Sequence, residues 1–322
     1  MTDPVEVAGS GVVNGDSDRK CLTMMMGTNM NCKPGTGMVI CEALGAVAVF
    51  ESERAKIVLL PLPGRGPETP SCLELERLSR APCMTFPEFT FECSTGWMAC
   101  VKRIDNKSPL LLVTDLQNET VRVVDVRASE RLGDLLPPGA IPGCHRVAGQ
   151  GHIAAVVSWG GTPGLEGVVR LFRNHGAEWD LIAMTPGQGP KLASLVQPLD
   201  VCLSYDEKHD PVFAVSDLET QRVTLFRVRD GSLIKPLGYG NWPTCVVYLG
   251  KTWYAVDHAS GMLVALEGSA KTAYLLECSV SGRIHQVRPT AISSVPGVGL
   301  VVRCGTCHFI HAILGPVDTE AL

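Results

Sequence analysis

Short apolar runs recur along the chain with glycine and proline dispersed between them, a pattern that suits many short strands separated by turns. The clearest pair is Val113-Thr114-Asp115 leading through Asn118-Glu119-Thr120 to Val121-Arg122-Val123-Val124. It matches Val215-Ser216-Asp217 leading through Glu219-Thr220-Gln221 to Val223-Thr224-Leu225-Phe226. Each reads as a strand, a turn opened by an aspartate, and a second strand beginning six positions later. Weaker copies start at Glu51 and reach Ile57, at Asp257 and reach Leu263, and at Arg303 and reach Phe309. A further copy, Val156-Val157-Ser158-Trp159, reaches Val168-Val169 through a longer Gly/Pro loop.

Prolines give a second, independent ruler. Pro34, Pro87, Pro142, Pro198, Pro243 and Pro289 each precede an apolar or alternating run. Proline cannot donate to a sheet ladder, so it suits the point where a connection enters the first strand of a unit. The stretch after Pro198 resolves into four strands: Val201–Leu203, Val212–Val215, Val223–Val228 and Ser232–Ile234, the last two joined by Asp230-Gly231. The next unit repeats this with Cys245–Val247, Trp253–Val256, Met262–Leu266 and Ala273–Leu276. Four strands per repeat of this length predict an all-β fold, a six-bladed β-propeller with blades starting near residues 34, 87, 142, 198, 243 and 289.

The last unit ends after its third strand. A segment before Pro34, either Val5-Glu6-Val7 or Cys21-Leu22-Thr23-Met24-Met25-Met26, is expected to supply the missing strand and close the ring. The domain organisation expected is a partly disordered segment over 1–20 and a single propeller over 21–322.

The run from Val215-Ser216-Asp217 through Arg222-Val223 to Phe226, followed by Asp230-Gly231 and Leu237-Gly238, resembles an NHL-type repeat. The likeness is good in that unit and fair around Asp115, while Glu51, Trp159 and Arg303 depart from the family's aspartate. The resemblance implies a binding platform for proteins or RNA, with a minority of six-bladed relatives acting as lactonases, lyases or hydrolases. It covers the architecture and carries no functional motif.

Composition narrows the partner. The 322 residues carry a formal charge of −5, which lacks the basic footprint that phosphate neutralisation needs and argues against nucleic acid. There is no basic-then-apolar leader and no long uninterrupted apolar stretch, so neither export nor a membrane span is expected. Thirteen cysteines, among them Cys93, Cys202, Cys245 and Cys278 within apolar runs, fit reduced thiols and a cytoplasmic setting.

Candidate chemistry is sparse. The acidic residues Glu51, Asp115, Asp217 and Asp257 fall at corresponding turns; capping their own turns is favoured over a ring of cation ligands. Cys304-Gly305-Thr306-Cys307-His308 has the spacing for c-type haem attachment, and Cys304, Cys307 and His308 could also hold zinc, but ordinary turn thiols with no cofactor are the simpler reading. His145, Arg146 and His285 lie near strand connections that would ring a face. Trp159 and the pair Tyr239 and Trp242 stand in glycine-rich loops, either presenting a binding surface or packing between blades. The function these features favour is a non-catalytic scaffold docking a protein or peptide on one face. The alternative is a propeller enzyme of lactonase, lyase or hydrolase type with a metal or acid/base site in the central channel.

Overall fold

β-Branched and aliphatic residues fit a pleated, half-buried surface, and closely spaced turns let successive runs fold back on their neighbours. The computed structural model describes residues 19–23, 25–29, 38–41, 46–51, 56–61, 71–74, 97–103, 109–115, 118–125, 130–159, 167–176, 178–185, 195–238, 242–257, 260–266, 273–280, 283–286, 289–295, 299–304 and 309–313. Among them the strands form six sheets.

Two strands come before the first repeat, β1 (Arg19–Thr23) and β2 (Met25–Asn29). The first sheet runs in order through β3 (Met38–Cys41), β4 (Ala46–Glu51), β5 (Lys56–Pro61) and β6 (Ser71–Glu74). The second is built from β7 (Met98–Val101), β8 (Leu110–Asp115), β9 (Thr120–Asp125) and β10 (Glu130–Asp134). The third holds β11 (Cys144–Gln150), β12 (Ile153–Ser158), β13 (Val168–Asn174) and β14 (Trp179–Met184). The fourth holds β15 (Pro198–Tyr205), β16 (Pro211–Asp217), β17 (Arg222–Arg227) and β18 (Leu233–Pro236). These four sheets are antiparallel meanders.

The last two sheets recruit the start of the chain. In the fifth, β19 (Pro243–Leu249), β20 (Thr252–Asp257), β21 (Met262–Ala265) and β22 (Ala273–Val280) are joined at the outer edge by β23 (Arg283–Gln286) and, in parallel, by β1. In the sixth, β24 (Pro289–Val295), β25 (Gly299–Cys304) and β26 (Phe309–Ile313) are completed by β2, antiparallel to β26. Of the two segments expected to fill that place, Met25-Met26 lies in β2, Cys21-Leu22-Thr23 lies in β1, and Val5-Glu6-Val7 falls outside the described residues. Among the described residues, neither the parallel β1 nor the hairpin strand β23 has a counterpart in the other sheets.

Pro198, Pro243 and Pro289 are the first residues of β15, β19 and β24, and Pro142 stands two residues before β11. Pro34 and Pro87 lie outside the described residues; the first strand of the second sheet begins at Met98.

Apolar faces meet between neighbouring sheets. Ala99, Leu110, Leu112 and Val121 of the second sheet share a buried cluster with Val147, Val156 and Phe172 of the third. Leu171 of the third joins Val201, Phe213 and Phe226 of the fourth, where the two phenylalanine rings stack 5.1 Å apart. Val212, Ala214 and Leu225 of the fourth pack on Val246, Trp253 and Ala255 of the fifth. Each such valine, leucine or phenylalanine contributes about 1.5–3 kcal/mol by leaving water, so the sheets are held by what lies between them. First strands touch first strands: β3 with β7, β7 with β11, β11 with β15, β15 with β19, β19 with β24, and β24 with β3.

Candidate functional site

The starts of the first strands define one face. Cys144 lies opposite Ser158, Pro198 opposite Asp217, Pro243 opposite Asp257 and Pro289 opposite Cys304. Trp97, just before β7, accepts from the Thr114 backbone N–H at 2.9 Å and donates its own N–H to the Thr114 hydroxyl at 3.1 Å, at the same level. The acidic turns of the repeat are therefore on this face.

In those turns the carboxylates cap their own backbone. Asp115 accepts from the Asn118 amide at 3.1 Å, Asp217 from Thr220 at 2.9 Å and Asp257 from Ser260 at 3.3 Å. Four positions after each aspartate the backbone turns left-handed, at Glu119 (φ 51°), Gln221 (φ 52°) and Gly261 (φ 67°). Only Gly261 adopts that conformation without a Cβ penalty. The other carboxylate oxygens differ. That of Asp115 takes Arg122 Nε at 2.7 Å, and that of Asp217 reaches back to the Val196 and Gln197 amides at 2.7 and 3.1 Å. These bonds occupy the oxygens a cation would need. Among the described residues no group of three or more His, Cys, Asp or Glu is placed to hold a metal.

Each first strand from the third sheet to the sixth carries a bulge near its start, inserting His145, Leu199, Thr244 and Thr290. A bulge re-aims the next side chain. The residues that follow, Arg146, Asp200, Cys245 and Ala291, occupy one register position on adjoining sheets.

Arg146, in the third sheet, reaches the second, fourth and fifth. Its guanidinium lies over the Trp97 ring, its Nε donates to the Leu199 carbonyl at 3.0 Å and stands 3.7 Å from Asp200, and its Nη2 is 4.0 Å from Cys245 Sγ. Asp200 in turn accepts from the Val246 amide at 3.0 Å. Burial raises the Asp200 carboxyl above the ordinary range, opposed by the Arg146 charge and by backbone donors.

His145 points into the protein. Its Nδ1 lies 3.2 Å from the Gly143 carbonyl, its Nε2 is buried with no hydrogen-bond partner among the described residues, and its ring meets Trp159 at 4.2 Å. Neutral imidazole with the proton on Nδ1 fits this arrangement. Burial pushes the pKa down to about 3, so His145 stays uncharged near neutrality. Trp159 is half-buried and its Nε1 donates to the Pro198 carbonyl at 2.9 Å. A Cβ at Gly143, whose φ is +65°, would meet the Trp159 carbonyl oxygen at 2.7 Å, which explains glycine there.

Trp242 is the opposite case. It precedes Pro243 on the same face, is 51% exposed, and has φ 54°. A bulky residue in the left-handed region is a local strain.

Of the sequence candidates, the structure brings His145, Arg146 and Trp159 together and puts Trp242 on their face. Tyr239, Cys307 and His308 fall outside the described residues, Cys304 ends β25, and His285 lies in β23 at an outer edge. Sequence reasoning missed Asp200, Thr244, Cys245 and Trp97. The first three had a signal: they sit one or two places after the repeat prolines Pro198 and Pro243. The thiols here are inert, with burial pushing Cys144, Cys202 and Cys245 up to about 12.

No protein-family model matches the chain, and no curated protein sequence matches it. Solved structures do. The chain is similar to one from a nidogen/laminin complex, at 14% identity and a TM-score of 0.51, with 74% of this chain and 82% of that one covered. It is also similar to hydrazine synthase of Kuenenia stuttgartiensis, at 10% identity and a TM-score of 0.52, with 96% and 100% covered. These neighbours are β-propeller proteins. At such identity the likeness speaks for fold alone, and with the stack of four-stranded antiparallel sheets it makes this chain an all-β protein of β-propeller type.

Proposed function

We propose that the chain is a non-catalytic docking scaffold: a six-bladed propeller of NHL-like repeats, closed by its N-terminal strands, that engages a protein or peptide on the face where the first strands begin. The circuit of first-strand contacts from β3 round to β24, and β2 in the vacant place beside β26, support the blade count and the closure. The free thiols Cys144 and Cys202 fit a reducing, cytoplasmic setting.

Trp242 carries the docking reading. An indole kept half in water, on a backbone conformation that costs energy, is what a binding anchor requires and what packing alone does not explain. The test is capture from a native extract with wild type, Trp242→Ala, and Lys208→Ala in the turn at the far end of β15. The expected result is a stoichiometric partner held by wild type and Lys208→Ala and lost by Trp242→Ala at unchanged melting temperature. A partner retained by Trp242→Ala would overturn the assignment of this face.

A further inference from the structure

The hairpin between β17 and β18 carries side chains that its turn does not need. Three bonds close it. The Ser232 amide donates to the Asp230 carboxylate at 2.9 Å, the Gly231 amide to the Arg227 carbonyl at 3.0 Å, and the Arg227 amide to the Ser232 carbonyl at 2.9 Å. None of them uses a guanidinium or a hydroxyl. The matching turn of the third sheet, from Arg173 to Trp179, closes with neither a serine nor a second arginine. Here Arg227 and Arg229 are both exposed, and Arg229 keeps 80% of its side-chain surface. Arg227 Nη1 donates to the Ser232 hydroxyl at 3.3 Å, while Arg229 Nε stands 3.5 Å from its neighbour Asp230. Exposed pairs of this kind add almost nothing to stability. Packing and turn formation therefore leave the two arginines unexplained. Ser232 itself is half-buried at the start of β18, a four-residue outermost strand with no partner on its other edge among the described residues. Local opening at such an edge presents the turn as an extended segment, with arginines five and three residues before a serine and Leu233 after it.

We propose that Ser232 is a phosphorylation site for an arginine-directed serine/threonine kinase, with Arg227 and Arg229 as its recognition residues. Each guanidinium fork matches a carboxylate of an acidic substrate groove. In the transfer, Ser232 Oγ attacks the γ-phosphorus of a nucleoside triphosphate. The new O–P bond forms as the bond to the bridging oxygen breaks, the nucleoside diphosphate leaves, and the hydroxyl proton passes to the kinase's catalytic carboxylate. The phosphate then stands beside the Arg227 guanidinium that already meets the hydroxyl, and the exposed Arg229 can turn to it. Asp230 opposes this with its own negative charge; hydrogen bonds from the Ser232 hydroxyl and amide hold its carboxyl below the ordinary range, and the phosphate removes the first of them. The turn lies at the opposite end of β17 from the acidic turn, where Arg222 pairs with Asp217, so this site does not depend on the docking reading.

The experiment incubates the full folded chain with magnesium, labelled ATP and a purified kinase that requires arginines five and three residues before its serine, its activity checked on its standard peptide. A synthetic peptide of residues 225–235 is treated in parallel. The expected result is stoichiometric phosphate on the folded chain, mapped to Ser232 by mass spectrometry and absent from Ser232→Ala. Arg229→Gln changes a side chain that meets only solvent and Asp230. It should melt as wild type and be modified about tenfold more slowly, the worth of one charged contact to the kinase. Phosphate on the peptide but not on the folded chain would show that the hairpin hides the serine, and overturns the proposal. A peptide left unmodified, phosphate on the folded chain only at other residues, or an unchanged rate with Arg229→Gln overturns it as well.

Discussion

The indole Nε1 of Trp159 donates to the carbonyl of Pro198 at 2.9 Å, fastening the end of a second strand in one sheet to the first residue of the next. The bond joins residues far apart in sequence, and the same indole covers the His145 ring. The register puts Ser158, not Trp159, in the place that Asp217 and Asp257 hold in their sheets, so the tryptophan is the residue that follows the turn position.

Replacing Trp159 by phenylalanine keeps an aromatic cover and deletes that one bond. The expected cost is about 1–2 kcal/mol, read as a lower denaturant midpoint at constant slope. An unchanged midpoint would mean that stacking alone holds the position.

The carboxylate of Asp217 accepts three backbone N–H bonds, so Asp217→Ala should destabilise by at least about 2 kcal/mol. If these aspartates serve their turns, a chelator leaves the melting temperature of wild type where it was. A drop on chelation that calcium reverses would restore the cation-ring reading.

At Gln221 the left-handed backbone is a cost that glycine avoids. Gln221→Gly should raise stability by up to about 1 kcal/mol, the relief of strain exceeding the added freedom of the unfolded chain. A conventional helix or strand residue would lose stability on the same change, so the sign of the effect is diagnostic.

For His145 the folded pKa, about 3, is below the ordinary 6.5. The unfolded chain binds more protons between those values, so the stability this residue leaves intact above pH 6.5 is lost as pH falls toward 3. The slope is about 1.4 kcal/mol per pH unit once well below 6.5. Asp200, shifted upward, acts in the opposite sense. Comparing wild type with His145→Phe at pH 7.5 and pH 5.5 isolates the histidine: wild type should lose about 1 kcal/mol more than the variant. Parallel losses would show that the ring is not buried neutral.

Much of the fourth sheet was readable from alternation alone. The runs after Pro198 fall on or beside β15 to β18, because each strand there is bounded by turn residues and packs on both faces. The acidic turns were readable for the same local reason. The meeting of Arg146 with Asp200 was not: it depends on two bulges that rotate side chains into line, and a bulge leaves no mark in hydrophobic period. Nor was the second sheet's first strand, since no proline stands immediately before Met98. Trp97 gave no hint of its place beneath a guanidinium on a neighbouring sheet.

The double attachment of β1 and β2 has a bearing on biosynthesis. β1 and β2 are synthesised before the repeats, yet β1 rests on β22 and β2 on β26, which are made only after the intervening sheets. The fifth and sixth sheets thus wait for β22 and β26, and until those are made β1 and β2 stand unpaired, open to any passing sheet edge. A truncated nascent chain would be sticky where the finished one is sealed.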